Sequence, residues 1–151
     1  MMKTILTAVC LLLTSMTASY SFGIVKQFTP NNVKSIRVNI NDGASDGCWT
    51  NLMEVKRYAE DKLELAGYRI WKKSNYDAAD RDSYYLSITV TSQRKNYCYG
   101  SVAFQIYRTH WIDDVYGHFE VGSGGSVFIG QDNANQIVLR YLGLFFNELP
   151  K

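Results

Sequence analysis

The chain has 151 residues, a formal net charge of +2 and 46% hydrophobic residues. A length of this order corresponds to one ordinary domain, which can bury a core without the help of a metal ion. The nearly balanced charge argues against a nucleic-acid partner, because binding to phosphates requires a basic stripe on the surface.

The first residues have the pattern of a secretory signal peptide. Lys3 is the only charged residue among the first 25, and a mainly apolar segment over residues 5–13 is followed by small and polar residues. Such a segment is too short to span a membrane, which takes about 20 residues. We therefore predict a signal peptide over residues 1–22, cleaved between residues 18 and 23, and one mature domain over residues 23–151. The mature domain would be periplasmic or secreted, with no integral membrane segment; the alternative is a retained N-terminal anchor.

Cysteine usage supports the same compartment. Cys10 lies within the apolar segment and is expected to leave with the signal, so the mature chain keeps Cys48 and Cys98. An exported chain with an even number of cysteines most simply pairs them, and this bridge would contribute about 4 kcal/mol in the chain-entropy model. A catalytic thiol would need an activating histidine, and a zinc site would need further ligands at a suitable spacing. The sequence therefore predicts a Cys48–Cys98 disulfide.

The first half of the mature chain reads as a strand–helix–strand unit. Residues 34–41 alternate between apolar and polar side chains, which predicts a half-buried strand. Apolar residues then recur at spacings of three and four over residues 51–66, which predicts an amphipathic helix ending at Gly67. A short strand over residues 68–71 would follow, and a crossover of this kind places its two strands parallel.

The middle of the chain reads as a β-meander. Residues 84–91 and 101–107 alternate again, which predicts a hairpin with one buried face. A chain reversal is expected over residues 109–114, followed by a strand over residues 115–121.

The last part of the chain reads as a turn, a short strand and a helix. The glycine-rich stretch at residues 122–125 predicts a flexible turn before a short strand over residues 126–129. The terminal helix would be capped by Asp132 or Asn133, and its apolar residues form a broad face that can bury against a sheet.

The order β-α-β-β-β-β-α predicts an α+β fold with a single mixed β-sheet, two helices packed on one face and a more polar opposite face. This order, with the Ala-Gly-Tyr-Arg-Ile segment at residues 66–70 and the meander after it, resembles small bacterial envelope domains. Examples are the amino-terminal domain of the TolB type and the LptE-like lipoproteins. The resemblance covers most of residues 34–149, concerns topology and implies no functional residues. Those lipoproteins carry a lipid-anchoring cysteine, which the position of Cys10 does not match.

Both histidines lie in one segment with three acidic residues, over residues 110–120. On one unbroken strand His118 and Glu120 would lie about 7 Å apart and Asp114 would be about 13 Å from His118, because a strand rises about 3.3 Å per residue. Two ligands could then meet but a closed three-ligand site could not. We therefore expect no metal ion, no cofactor and no catalytic residues. The alternative is a small metal-dependent hydrolase that uses His110 and His118.

The chain is rich in aromatic residues, with 11 tyrosines. Exposed aromatic surfaces mark contacts with partners or ligands, whereas tyrosines along a sheet can equally form cross-strand pairs. Five tyrosines fall at positions that the hydrophobic pattern does not place in the core, and we take them as candidate binding residues: Tyr85, Tyr97, Tyr99, Tyr107 and Tyr116.

Together these features favour an exported, non-catalytic domain that acts through protein–protein contacts with an unknown partner in the cell envelope. Its contact surface would be the tyrosine-rich side of the sheet or a sheet edge that accepts an added strand. A secreted inhibitor of an extracellular enzyme would be a special case of this function.

Overall fold

A computed structural model describes residues 21–71 and 84–150 of the chain. In this part of the chain one five-stranded mixed sheet carries two helices, so the predicted α+β fold is confirmed. The strands are β1 (Ser21–Ile24), β2 (Ile36–Ala44), β3 (Tyr84–Arg94), β4 (Cys98–Ile112) and β5 (Val115–Gln131), and the helices are α1 (Leu52–Leu65) and α2 (Asn135–Asn147). Neither of these helices is long and apolar enough to cross a membrane.

The strands lie in the order β1-β5-β4-β3-β2 across the sheet. Only β2 and β3 run parallel, and the other neighbours are antiparallel. The predicted strand over residues 68–71 is reduced to one parallel bridge between Ile36 and Ile70. The amide of Ile36 donates to the carbonyl of Arg69, and the amide of Trp71 donates to the carbonyl of Ile36. The long parallel partner of β2 is therefore β3, which lies on the other side of β2.

Both helices pack on one face of the sheet and form the core with it. The apolar stripe of α1 and the broad face of α2 are buried as their periodicity predicts. The alternate residues of the central strands β3 and β4 that face the helices are almost completely buried: Leu86, Ile88, Val90, Val102, Phe104 and Ile106. Truncating one such side chain to alanine typically costs about 2–5 kcal/mol.

The starts of the two helices are held together by side chains. The amide of Thr50 donates to Oδ1 of Asn135, and Nδ2 of Asn135 donates to the hydroxyl of Thr50. Asn51 precedes α1, and its amide group donates to the side chain of Glu54, while its side chain caps no backbone amide of the helix. Gly67 follows the end of α1 at a φ of 91°, a left-handed conformation that favours glycine.

The Cys48–Cys98 disulfide is present, with an Sγ–Sγ distance of 2.03 Å and both residues fully buried. It joins the loop before α1 to the start of β4, as predicted. Arg94 holds the same region, since its guanidinium donates to the backbone carbonyls of Asp46 and Asp132. Two chain segments that are far apart in sequence are thereby fixed beside the end of β5.

The glycine-rich stretch at residues 122–125 is part of a strand, so the predicted turn there is wrong. β5 continues through it and pairs with β4 on one side and β1 on the other. Phe22 and Ile24 of β1 lie directly across from Gly124 and Gly122, and their side chains occupy the space that a Cβ at either glycine would need. The glycines therefore make room for β1 instead of turning the chain.

The chain reverses at Asp113 and Asp114, within the predicted segment, and both residues have positive φ angles of 46° and 64°. The flanking strands are longer than predicted. Because β3 pairs with β4 only as far as Arg108, residues 109–118 of β4 and β5 form a two-stranded ribbon beyond the sheet.

Candidate binding surface on the helix-free face

The face of the sheet opposite the helices, here called the open face, carries small and polar side chains across its middle. One row across its four long strands consists of Asn39, Ser87, Gln105 and Ser123, which the strand registers place side by side. Nδ2 of Asn41 donates to the hydroxyls of Ser87 at 2.6 Å and Thr89 at 3.1 Å. These bonds connect β2 to β3 across this face.

Four rings form a continuous aromatic row at one end of the open face: Tyr85, Tyr107, His118 and Tyr116. The rings of Tyr85 and Tyr107 are stacked with centroids 5.3 Å apart, and those of Tyr107 and His118 are stacked at 5.0 Å. Tyr116 meets His118 edge to face at 6.0 Å. The aromatic row thus crosses from β3 through β4 to β5.

A β-bulge explains why His118 joins this row. Ile106 lies opposite Gly122 but Tyr107 lies opposite Glu120, so Val121 is an extra residue on β5. An extra residue reverses which side of the sheet the preceding residues face. His118 and Glu120 are therefore brought to the open face, whereas an unbroken alternation would turn them toward the helices.

The stacking limits what the aromatic row can bind. Tyr107 lies between Tyr85 and His118, so both faces of its ring are covered by other rings. Each such aromatic pair contributes about 0.5–1.5 kcal/mol beyond the area that it buries. The row can therefore offer ring edges and polar groups to a partner, but Tyr107 has no free ring face on which a flat ligand could stack.

A shallow depression of about 340 Å³ lies beside the aromatic row, and its lining is polar. Its residues are Ser87, Gln105, Tyr107, His118 and Glu120. Nε2 of Gln105 donates to the carboxylate of Glu120 at 3.1 Å, which fixes both side chains at its edge. A depression with this lining can accept hydrogen-bonding groups from a partner surface.

The structure brings three of the five candidate tyrosines together, namely Tyr85, Tyr107 and Tyr116. Tyr85 is buried, whereas Tyr116 is 48% exposed at the end of the aromatic row. Tyr97 and Tyr99 lie at the opposite end of β4, where Tyr97 is 58% exposed and the hydroxyl of Tyr99 donates to Oε1 of Gln93. The sequence pattern did not identify His118 as a member of the row, because the bulge that places it there has no signature in the alternation.

The two histidines lie on opposite faces of the β4–β5 pair. His118 is stacked in the aromatic row, whereas His110 lines a small groove on the helix side together with Arg108 and Phe119. Within residues 21–71 and 84–150, no three His, Cys, Asp or Glu side chains are grouped so that they could hold a metal ion. The structure thus does not assemble the pair on which the metal-dependent alternative depends.

A perturbed tyrosine lies away from this surface, on the helix side of the sheet. The hydroxyl of Tyr68 donates to the backbone carbonyl of Phe28 at 2.8 Å, and the two rings are stacked. Burial disfavours the charged phenolate and raises the pKa of Tyr68 from 10.0 to about 12. Tyr68 is thus a structural residue that stays neutral at physiological pH.

Comparison with known proteins shows similarity at the level of the fold. No protein-family model and no curated protein sequence matches the chain. A chain from the dodecamer structure of a point variant of PelC from Paraburkholderia phytofirmans superposes with a TM-score of 0.56 at 11% identity, covering 87% of this chain and 97% of the PelC chain. A second PelC dodecamer structure from the same organism gives a TM-score of 0.51 at 13% identity, covering 89% and 100% of the two chains. At these identities the likeness shows that the chain has the PelC fold and nothing further.

Proposed function

We propose that the chain is an exported, non-catalytic protein of the cell envelope that acts through protein–protein contacts made by its open face. The observation that carries this proposal is the aromatic row, which is assembled on the face that the helices leave uncovered. Aromatic side chains are enriched at the centres of protein interfaces, where they bury much area at a small entropic cost.

Export is supported by the disulfide and by the signal-like start of the sequence. The Cys48–Cys98 bridge is buried and closes a separation of 50 residues. Structural disulfides persist in oxidising compartments such as the periplasm and are rare in the cytosol. Lys3 and the apolar segment over residues 5–13 supply the sequence features that an export signal needs.

Protein contact is supported over small-molecule chemistry by the shape of the open face. Its depression is shallow, its rings are already stacked on one another, and Glu120 is engaged by Gln105. A surface of this kind suits a broad polar contact with an aromatic edge. Tyr116, which is exposed, continues this surface along the ribbon.

The comparisons add support for contacts between proteins. Both similar PelC structures are dodecamers, so the same fold can present surfaces that bind other protein chains. We extend this property to the present chain as part of the proposal, with copies of the chain among the candidate partners.

Site-specific photocross-linking tests the proposal. A photoreactive phenylalanine analogue replaces Tyr116 in one variant and Tyr97 in another, and each variant is produced in cells that export the protein. Both tyrosines are exposed, but only Tyr116 belongs to the aromatic row. We expect discrete protein adducts from position 116 that disappear when His118→Ala disrupts the row, and none from position 97. Equal labelling from both positions, or no adduct from position 116, would contradict the proposal.

A further inference from the structure

Among the described residues, the end of β5 is an open sheet edge. β1 pairs with β5 only over Gly122–Gly125, and Ser21, its first residue, lies across from Gly125. In the part of the chain that the structure describes, no strand pairs with the outer side of residues 126–131, here called the β5 edge. Unpaired N–H and C=O groups on such an edge are a template for another strand.

The hydrogen bonds identify which backbone groups point outward from the β5 edge. The amide of Val25 donates to the carbonyl of Val121, so the odd-numbered residues beside β1 turn their backbone groups toward that side. The same alternation turns those of Val127 outward. Ile129 is the next odd-numbered residue, and the register with β4 shifts there, because Ile129 and Gly130 lie between the Phe128–Gly100 and Gln131–Cys98 pairs, opposite Tyr99 alone. The carbonyls of Val127 and Ile129 accept long bonds from nearby side chains, at 3.3 Å from the hydroxyl of Ser126 and 3.5 Å from Nε2 of Gln131. These side-chain donors occupy positions at which the backbone amides of a neighbouring strand would donate.

The side chains of the β5 edge are also suited to strand pairing. Val127 and Ile129 are 71% and 81% exposed, and Phe128 between them is buried in the core. Residues 126–131 carry no charge and no proline, which are the usual devices that prevent edge-to-edge pairing. The nearby Cys48–Cys98 bridge holds the start of β4 beside this segment, so little ordering is required on binding.

We propose that the β5 edge pairs with the β5 edge of a second copy of the chain, in antiparallel orientation about a two-fold axis at Phe128. In this register Val127 of one copy lies across from Ile129 of the other, and both residues turn their backbone groups toward the partner copy. Such a pair exchanges both of its N–H···O hydrogen bonds. The exposed Val127 and Ile129 side chains then meet on the same face of the joined sheet, and no like charges oppose each other across the contact. A two-fold contact needs this self-complementarity.

The partner is a second copy of the chain, because in this register the outward backbone groups of the β5 edge find hydrogen-bond partners in an identical segment. The pairing uses the same two residues on both sides, so every outward amide and carbonyl of Val127 and Ile129 gains a partner. The contact is separate from the aromatic row, and therefore the two proposals can fail independently.

The test measures self-association and amide exchange of the processed protein. Sedimentation over a range of concentrations gives the dimer dissociation constant, and NMR hydrogen exchange gives the protection of individual amides. We expect a dimer in which the amides of Val127 and Ile129 exchange slowly, becoming fast on dilution to monomer. The double variant Val127→Lys with Ile129→Lys should weaken dimerisation by about a hundredfold or more, because it places charges on the joined edge.

Val115→Lys is the matched control, since Val115 is 68% exposed on β5 but lies outside the β5 edge. It should leave the dissociation constant unchanged, and melting curves check that all variants fold. A monomeric wild type overturns the inference. Slow hydrogen exchange of the Val127 and Ile129 amides at every concentration would also overturn it, because the chain would then cover its own β5 edge. Association that survives the double lysine variant would also overturn it, while leaving contacts through the open face intact.

Discussion

Phe22 and Gly124 lie directly across from each other on β1 and β5, and the ring of Phe22 occupies the space that a side chain at position 124 would take. The same ring contacts Phe145 of α2 edge to face, with centroids 5.7 Å apart. Phe22 therefore packs the short strand β1 against the core, and its ring fits there because residue 124 is a glycine.

Replacing Gly124 by alanine should destabilise the protein, because the new methyl group would overlap the ring of Phe22. We expect a loss of about 1–3 kcal/mol in the free energy of unfolding, as is typical of overpacking. Chemical denaturation measures this loss. Gly23→Ala is the control, since Gly23 adjoins Phe22 on β1 and nothing lies within 4 Å of a Cβ at that position. Equal stability of the two variants would show that Phe22 does not depend on the glycine.

Processing of the N-terminus should leave Phe22 in the mature chain. The predicted cleavage window spans residues 18 to 23. Cleavage before Phe22 yields a mature protein that keeps the contact between Phe22 and Phe145, and this protein should be more stable than one cleaved later. Intact-mass analysis of the exported protein should therefore find a first residue no later than Phe22. A mature chain that begins at Gly23 or beyond would lack this contact and would contradict the prediction.

The sequence predicted the features that depend on local periodicity or on simple pairing. The two helices, the hairpin and the Cys48–Cys98 bridge belong to this class, since only two cysteines follow the signal-like segment. β1 was missed because its residues adjoin that segment and are too few to show an alternation. The turn predicted at residues 122–125 was wrong because glycine was taken as a turn former, whereas its role depends on Phe22, about 100 residues away in sequence.

The aromatic row could be predicted only in part for a similar reason. Cross-strand partners depend on register, and the extra residue Val121 changes the register just before His118. Tyr85 and Tyr107 were identified as candidates from composition and alternation, but no local signal showed that they would stack. Tertiary register thus decides which of the tyrosines act together.

Loss of the disulfide should strongly destabilise the protein. The double variant Cys48→Ser with Cys98→Ser should lose up to about 4 kcal/mol, because its unfolded chain is no longer constrained over 50 residues. Thermal unfolding should show a melting temperature lower by several degrees per kcal/mol. Both cysteines are fully buried, so reductant should act on the wild type only as it unfolds. The double variant should not respond to reductant, and a melting temperature equal to that of wild type would contradict the expected role of the bridge.

Stability should fall at alkaline pH through Tyr68. Burial raises the pKa of Tyr68 to about 12 in the folded state, whereas an unfolded tyrosine titrates near 10. The folded state therefore binds the phenolic proton more tightly, so this contribution is fully present below about pH 10 and is lost as the pH rises toward 12. Tyr68→Phe should remove this part of the pH dependence while costing about 0.5–1.5 kcal/mol at neutral pH, through the lost hydrogen bond to Phe28. Denaturant unfolding between pH 8 and pH 12 measures both effects relative to Tyr97→Phe, a control at an exposed tyrosine. An alkaline loss of stability that is the same in Tyr68→Phe and wild type would show that another group is responsible.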